Sequence, residues 1–136
     1  MQPILLLIGV VHSELKRMED CPLQESENAP EATIEIFPEY NNGIRNIKKG
    51  DQLLLLTWLH KSDRTVIATH PRNDPSIPLT GVFSTRSPDR PNPIGLHVVE
   101  VISISDTGMI RVSGLEVLDQ TPLIDIKPIW RPDTGT

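Results

Sequence analysis

The sequence predicts an all-β fold: a small, mostly antiparallel β-barrel with one short helix and long loops. Three observations lead there. The apolar stretches are short, rich in Ile and Val, and bounded by turn residues, which is the strand pattern rather than the helical one. The longest, 94–105, has Leu96, Val98, Ile102 and Ile104 interleaved with His97, Val99 and Val101, so it is expected to be covered on both faces, as in a small closed barrel. At 136 residues the chain fits one domain with one core.

Taken in order, the run ILLLIGVV at 4–11 reads as a buried first strand. It lacks a basic flank and is far short of the ~20 apolar residues of a membrane span. Residues 16–31 are polar and acidic and carry Pro22 and Pro30, so they read as a long loop. A strand is expected at 32–37. Over 38–49 Pro38 suits a helix start, Ile44 and Ile47 lie three apart, and Gly50 can end the helix; Asn42-Gly43 shortens or breaks it. Strands follow at 53–60, 65–69 and 81–85. Asp106-Thr107-Gly108 then makes a hairpin turn, so 94–105 and 109–117 should pair antiparallel. From 119 onward Pro122, Pro128 and Pro132 alternate with Leu123, Ile124, Ile126 and Ile129, which predicts an extended tail packed on the barrel.

Thirteen basic residues against eighteen acidic ones give a net charge of −5, which argues against a protein that grips nucleic acid by bulk electrostatics and leaves room for a local basic site. Cys21 is the single cysteine, so no intramolecular disulfide can form, and a cytoplasmic setting is expected. His12, His60, His70, His97 and Cys21 show no zinc-type spacing, and no metal is expected. Neither a GxGxxG turn nor a phosphate-cradling P-loop occurs, and there is no G-x-S-x-G elbow. A hydrolase on Ser84 or Ser87 would need a base brought near by the fold.

The remaining concentration of chemistry is GVFSTRSPDRPNPIGL at 81–96. Pro88, Pro91 and Pro93 hold this loop rigid without regular hydrogen bonds. Arg86 and Arg90 then offer planar, permanently charged forks suited to a carboxylate or phosphate and to stacking on a purine. Asn92 offers an amide to backbone or ligand. A purely structural turn, with both arginines tying loops to carbonyls, fits the same residues.

This stretch, followed by VVEV, resembles the signature of the TsaA-like, TrmO-type methyltransferases, G-[AV]-F-[AS]-T-R-[SA]-x-x-R-P-N-P-I-G. The flanks agree: an opening IGVV strand, Trp58-Leu59-His60, and the run LDQTPLIDIKP at 118–128. The resemblance implies a homodimeric β-barrel that binds S-adenosyl-L-methionine outside the Rossmann framework and methylates N6 of threonylcarbamoyladenosine beside the tRNA anticodon. Carried over by motif, the cofactor site would take Gln24, Glu25 and Ser26, then His60 and Lys61, Arg86, Val98, and Asp119, Gln120, Thr121 and Pro122. No glycine follows Gln24-Glu25, where the bacterial pattern has one. Arg90 and Asn92 would serve the substrate, Arg90 through an RNA phosphate or the partner subunit.

Methyl transfer from a sulfonium to a nitrogen mainly needs alignment, with help for the departing proton. Asp119 is the expected catalytic group, with His60 behind it, while Asp125 more simply pairs with Lys127 or Arg131. Two other readings stay open: a non-catalytic S-adenosyl-L-methionine-binding module, and a small-molecule methyltransferase needing no basic RNA surface.

Overall fold

A computed structural model describes residues 2–14 and 31–129. Its strands are β1 (Gly9–His12), β2 (Ala32–Ile36), β3 (Gln52–Trp58), β4 (Ala68–Thr69), β5 (Thr80–Gly81), β6 (Ile94–Ile104), β7 (Met109–Ser113) and β8 (Thr121–Pro128). Six of them close a barrel in the order β1-β2-β7-β6-β3-β8, and β4 and β5 form a separate two-stranded ribbon. Every barrel pair is antiparallel. The expected all-β barrel is therefore what the chain forms.

Alternation along each strand fills the interior. Val11, Ile34, Leu55, Val101, Ile110, Val112 and Leu123 are almost wholly buried, each contributing about 1.5–3 kcal/mol relative to exposure. Register shifts between Val101 and Ser103 and between Leu56 and Thr57 bend β6 and β8 around this small core. The hairpin between β6 and β7 turns at Gly108, whose φ of 86° only glycine adopts cheaply.

Several sequence expectations change. Residues 4–7 are not a buried strand: Ile4, Leu5, Leu6 and Leu7 are exposed, because backbone pairing to β2 and β8 begins only at Ile8 and Gly9. β6 is covered on one face only; Ile94, Leu96 and Val98 point outward at 40%, 45% and 58% exposure, since the closed barrel has a single interior. The helix over 38–49 is a 3₁₀ helix at Pro38–Ile44, and 82–84 is also 3₁₀ rather than strand. The C-terminal run does not lie on the barrel but is one of its staves, with β8 hydrogen-bonded between β1 and β3. β7 ends at Ser113, where Gly114 turns the chain with φ 79°, while Leu115 and Val117 still fill the core.

Antiparallel pairing sorts the connections between two ends. The links 37–51 and 105–108 leave one end; the links 13–31, 59–93 and 114–120 leave the other. Register places Val11 beside Thr121, Thr57 beside Leu123, Trp58 beside Ile94 and Ala32 beside Val112, so this second end is a continuous rim. Among the described residues no helix is long and apolar enough to cross a membrane.

Candidate functional site

The link 114–120 contributes a closely hydrogen-bonded part of that rim. Gln120 adopts a left-handed conformation, φ 69°, and its N–H donates to the Val11 carbonyl at 2.7 Å. Thr121 seals the turn beneath it, with both N–H and Oγ1 donating to the Leu118 carbonyl at 3.2 and 2.6 Å. Oδ1 of Asp119 accepts from the Ser13 N–H at 2.8 Å and from Nε2 of Gln120 at 3.4 Å. Pro122 follows as the second residue of β8, paired with Val10. The turn is thereby stitched to the end of β1. A cavity of about 510 Å³ opens beside it, lined by His12, Thr33, Arg111 and Asp119 among others, with Arg111 ion-paired to Glu31 on its rim.

His60 and Lys61 follow β3 directly and are exposed, held at the rim by the Leu59 N–H donating to the Pro93 carbonyl at 2.8 Å. Partial burial holds the His60 imidazole below its ordinary pKa of 6.5, the neighbouring Lys61 charge adds to this, and a hydrogen bond with the Trp58 backbone opposes both. The ring is therefore mostly neutral at pH 7 and adds little repulsion toward a cationic ligand.

The proline loop uses its two arginines differently. Arg90 turns back on its own loop: Nε donates to the Ser87 carbonyl at 2.9 Å, and Nη2 donates to the carbonyls of Val82 and Thr85. Those donors, expected for an RNA phosphate, are spent on backbone. Asn92 is likewise engaged, its Oδ1 accepting from Arg64 Nη2 at 3.3 Å while Arg64 Nε donates to the Pro91 carbonyl at 2.7 Å. Arg86 is exposed and has no hydrogen-bond or ion-pair partner among the described residues.

Two residues absent from the sequence-derived site emerge here. Arg64 stacks over Trp58 at 4.9 Å while clamping the proline loop, joining β3 to that loop. His12, weighed in the sequence only as a metal ligand, bonds Glu35 and Gln120 at the cavity. No local signal announces either, because both act on residues far away in sequence. Val98 lies four residues into β6 from the rim, ~13 Å along the strand, and on the outer face. Gln24, Glu25 and Ser26 lie outside the described residues. Asp125 pairs with Lys127 at 3.2 Å, the plain structural role.

A closed barrel with polar connections gathered at one rim defines a small β-barrel domain whose polar side chains described above lie mainly on its connections rather than in its core. The chain matches the family described as tRNA-methyltransferase O N-terminal domain over residues 10–133, and it belongs to that family. It is 41% identical over 123 residues to a protein of Methanothermobacter thermautotrophicus named a probable S-adenosyl-L-methionine-binding protein, covering 90% of this chain and 87% of that one. It is 40% identical over 124 residues to an S-adenosyl-L-methionine-binding protein of Archaeoglobus fulgidus, covering 91% and 87%. The crystal structure of TrmO from Pseudomonas aeruginosa superposes with a TM-score of 0.75 at 27% identity, covering all of this chain and 59% of that one. This chain thus spans about three fifths of that solved TrmO chain.

Proposed function

We propose that this chain binds S-adenosyl-L-methionine at the three-loop end of its barrel and transfers the methyl group to N6 of threonylcarbamoyladenosine beside the tRNA anticodon. One observation carries the reading: Arg86, exposed and without a hydrogen-bond or ion-pair partner among the described residues, and the 119–122 turn belong to connections that leave the same barrel end, and the family match runs through both. The donor set suits this ligand. Arg86 has an open fork for a carboxylate, Asp119 is an acceptor for ribose hydroxyls or an amino group, and no pyrophosphate requires a glycine-rich cradle.

When bound, S-adenosyl-L-methionine supplies a methyl group activated on a sulfonium sulfur. The residues of the rim align donor and acceptor, which is where most of the acceleration of an in-line displacement arises. Asp119, held by the Ser13 N–H and the Gln120 amide, is the carboxylate within the rim that would take the proton leaving the acceptor nitrogen. His60 and Lys61 would bound the same ligand from the end of β3.

The proposed unit is a homodimer. Ile94, Leu96 and Val98 form an exposed apolar stripe on the outer face of β6. A second copy against β6 would cover it and bring a further wall beside Val98. A monomer by light scattering at micromolar concentration overturns this part.

A second reading, a non-catalytic S-adenosyl-L-methionine-binding module, is favoured by the names of the archaeal relatives, which state binding and no transfer. Mass spectrometry of nucleosides from tRNA incubated with the protein and methyl-labelled cofactor separates the two. Label in threonylcarbamoyladenosine supports the transferase; binding with no labelled nucleoside supports the module.

A further inference from the structure

We infer that His12 is a positioning residue for the methyl-donor site, holding the Gln120 amide and, through it, Asp119. This rests on the reading of the 119–122 turn as part of the S-adenosyl-L-methionine site. The atoms define the chain of contacts. Gln120 Nε2 lies 3.1 Å from His12 Nδ1 and 3.4 Å from Asp119 Oδ1, and His12 Nε2 lies 2.8 Å from Glu35 Oε1. A carboxylate only accepts, so the Gln120 atom facing Asp119 is the amide nitrogen, and its two hydrogens go one to Asp119 and one to His12. Nδ1 of His12 is therefore the accepting nitrogen. The ring proton sits on Nε2 and is donated to Glu35.

Each link has a structural reason to matter. Gln120 is a non-glycine residue at φ 69°, a backbone state that persists where surrounding bonds over-determine it. Its N–H is tied to the Val11 carbonyl, and its side chain is tied to His12 on the same strand, so β1 grips the turn twice. Glu35 on β2 then fixes the ring from behind. The charged groups around His12 are Glu35 from β2, Asp119 from the link before β8, and Glu14, Glu31 and Arg111 across the cavity. Gln120 joins the imidazole to Asp119, with one amide hydrogen on each. Loss of the Nδ1 acceptor frees the Gln120 side chain to rotate, and Asp119 then loses one of the two donors described for its Oδ1.

The test exploits the geometry of isosteric amides: Asn at position 12 presents an oxygen near the Nδ1 position, whereas Gln presents its amide near Nε2. His12→Asn keeps the acceptor for Gln120 and loses Glu35; His12→Gln keeps Glu35 and loses Gln120. Both remove the same ring, so a merely structural role moves them together. By calorimetry with S-adenosyl-L-methionine, His12→Gln is expected to bind about tenfold more weakly and His12→Asn to stay within about twofold of the parent, the difference of one hydrogen bond. Equal losses, or no loss in either, overturn the inference. If the parent protein binds no S-adenosyl-L-methionine, the proposed function fails instead, and the ring nitrogens decide the inference. In ¹⁵N spectra of neutral His12, the Nε2–H tautomer, shifting toward a mixture in Gln120→Leu, supports it. An Nδ1–H tautomer, or a spectrum indifferent to Gln120→Leu, overturns it.

Discussion

The two ends of the barrel are built to different rules. At one end the connections are tight, a hairpin turning at Gly108 and a link that folds at once into a 3₁₀ helix with Ile44 in the core. At the other end most of the polar side chains named above gather, and among the described residues side chains tie the connections down: Arg64 and Arg90 on carbonyls within the link 59–93, Asp119 on the Ser13 N–H, Gln120 on His12. The first end is held by backbone hydrogen bonds and short-range contacts such as Met109 N–H on Ser105 Oγ and Lys48 N–H on Asp51. The second end depends more on particular side chains, and it leaves Arg86 exposed with no partner among the described residues.

The sharpest way to break that contrast is at the paired arginines. Arg90→Ala strips the donors from three backbone carbonyls and is expected to cost about 3 kcal/mol in urea unfolding, with Arg90→Lys recovering little because an ammonium cannot span the same fork. Arg86→Ala should change stability by less than about 0.5 kcal/mol, yet weaken S-adenosyl-L-methionine in calorimetry by at least about tenfold. Reversed results would exchange the two roles.

Gly95→Ala probes the rim from inside. A Cβ there would meet His97 Nε2 and Thr57 Oγ1 at 2.6 Å each, and those two atoms are bonded to each other at 2.8 Å in the core. Overpacking a buried hydrogen bond is expected to cost about 2 kcal/mol, read as a lower melting temperature. At the tight end Gly108→Ala should cost about 1 kcal/mol or more through its φ of 86°, while ligand affinity stays at the parent value. A change in affinity there would show that the two ends communicate.

The smallest expected effect is in pH. His60 titrates below 6.5 when folded and near 6.5 when unfolded, so between those values the unfolded chain holds more protons. Stability should therefore rise with pH through that window and fall as the pH drops through the folded value. His60→Gln should remove this slope from a series of unfolding curves, and an unchanged slope would assign it elsewhere.

Much of the barrel is legible from alternation alone: Ala32, Ile34 and Ile36, or Leu53 and Leu55, announce an inward face. Alternation does not say where pairing stops, which is why Ile4–Leu7 read as buried and is not, and why the outer stripe of β6 read as covered. The prolines at 122 and 128 suggested a tail because they remove donors, but they occupy the second and last residues of β8 and leave the stave between them intact. In the site, Arg86 and Arg90 are equivalent as letters in a motif; only three dimensions show one engaged and one open. His12 was visible and its partner was not, since Gln120 lies 108 residues away.

The place of β8 bears on how the protein is made. Its neighbours are β1 and β3, and Ser13 meets Asp119 across 106 residues. While a ribosome extends the chain, five barrel strands can emerge and pair, but the sheet stays open with β1 and β3 as bare edges until residues 121–128 appear. Such long-range closure is slow and leaves strand edges open to other chains. The turn that ties the rim to β1 arrives with the closing strand, so the site proposed at that rim would be completed last, and a ligand bound there would favour only the finished barrel.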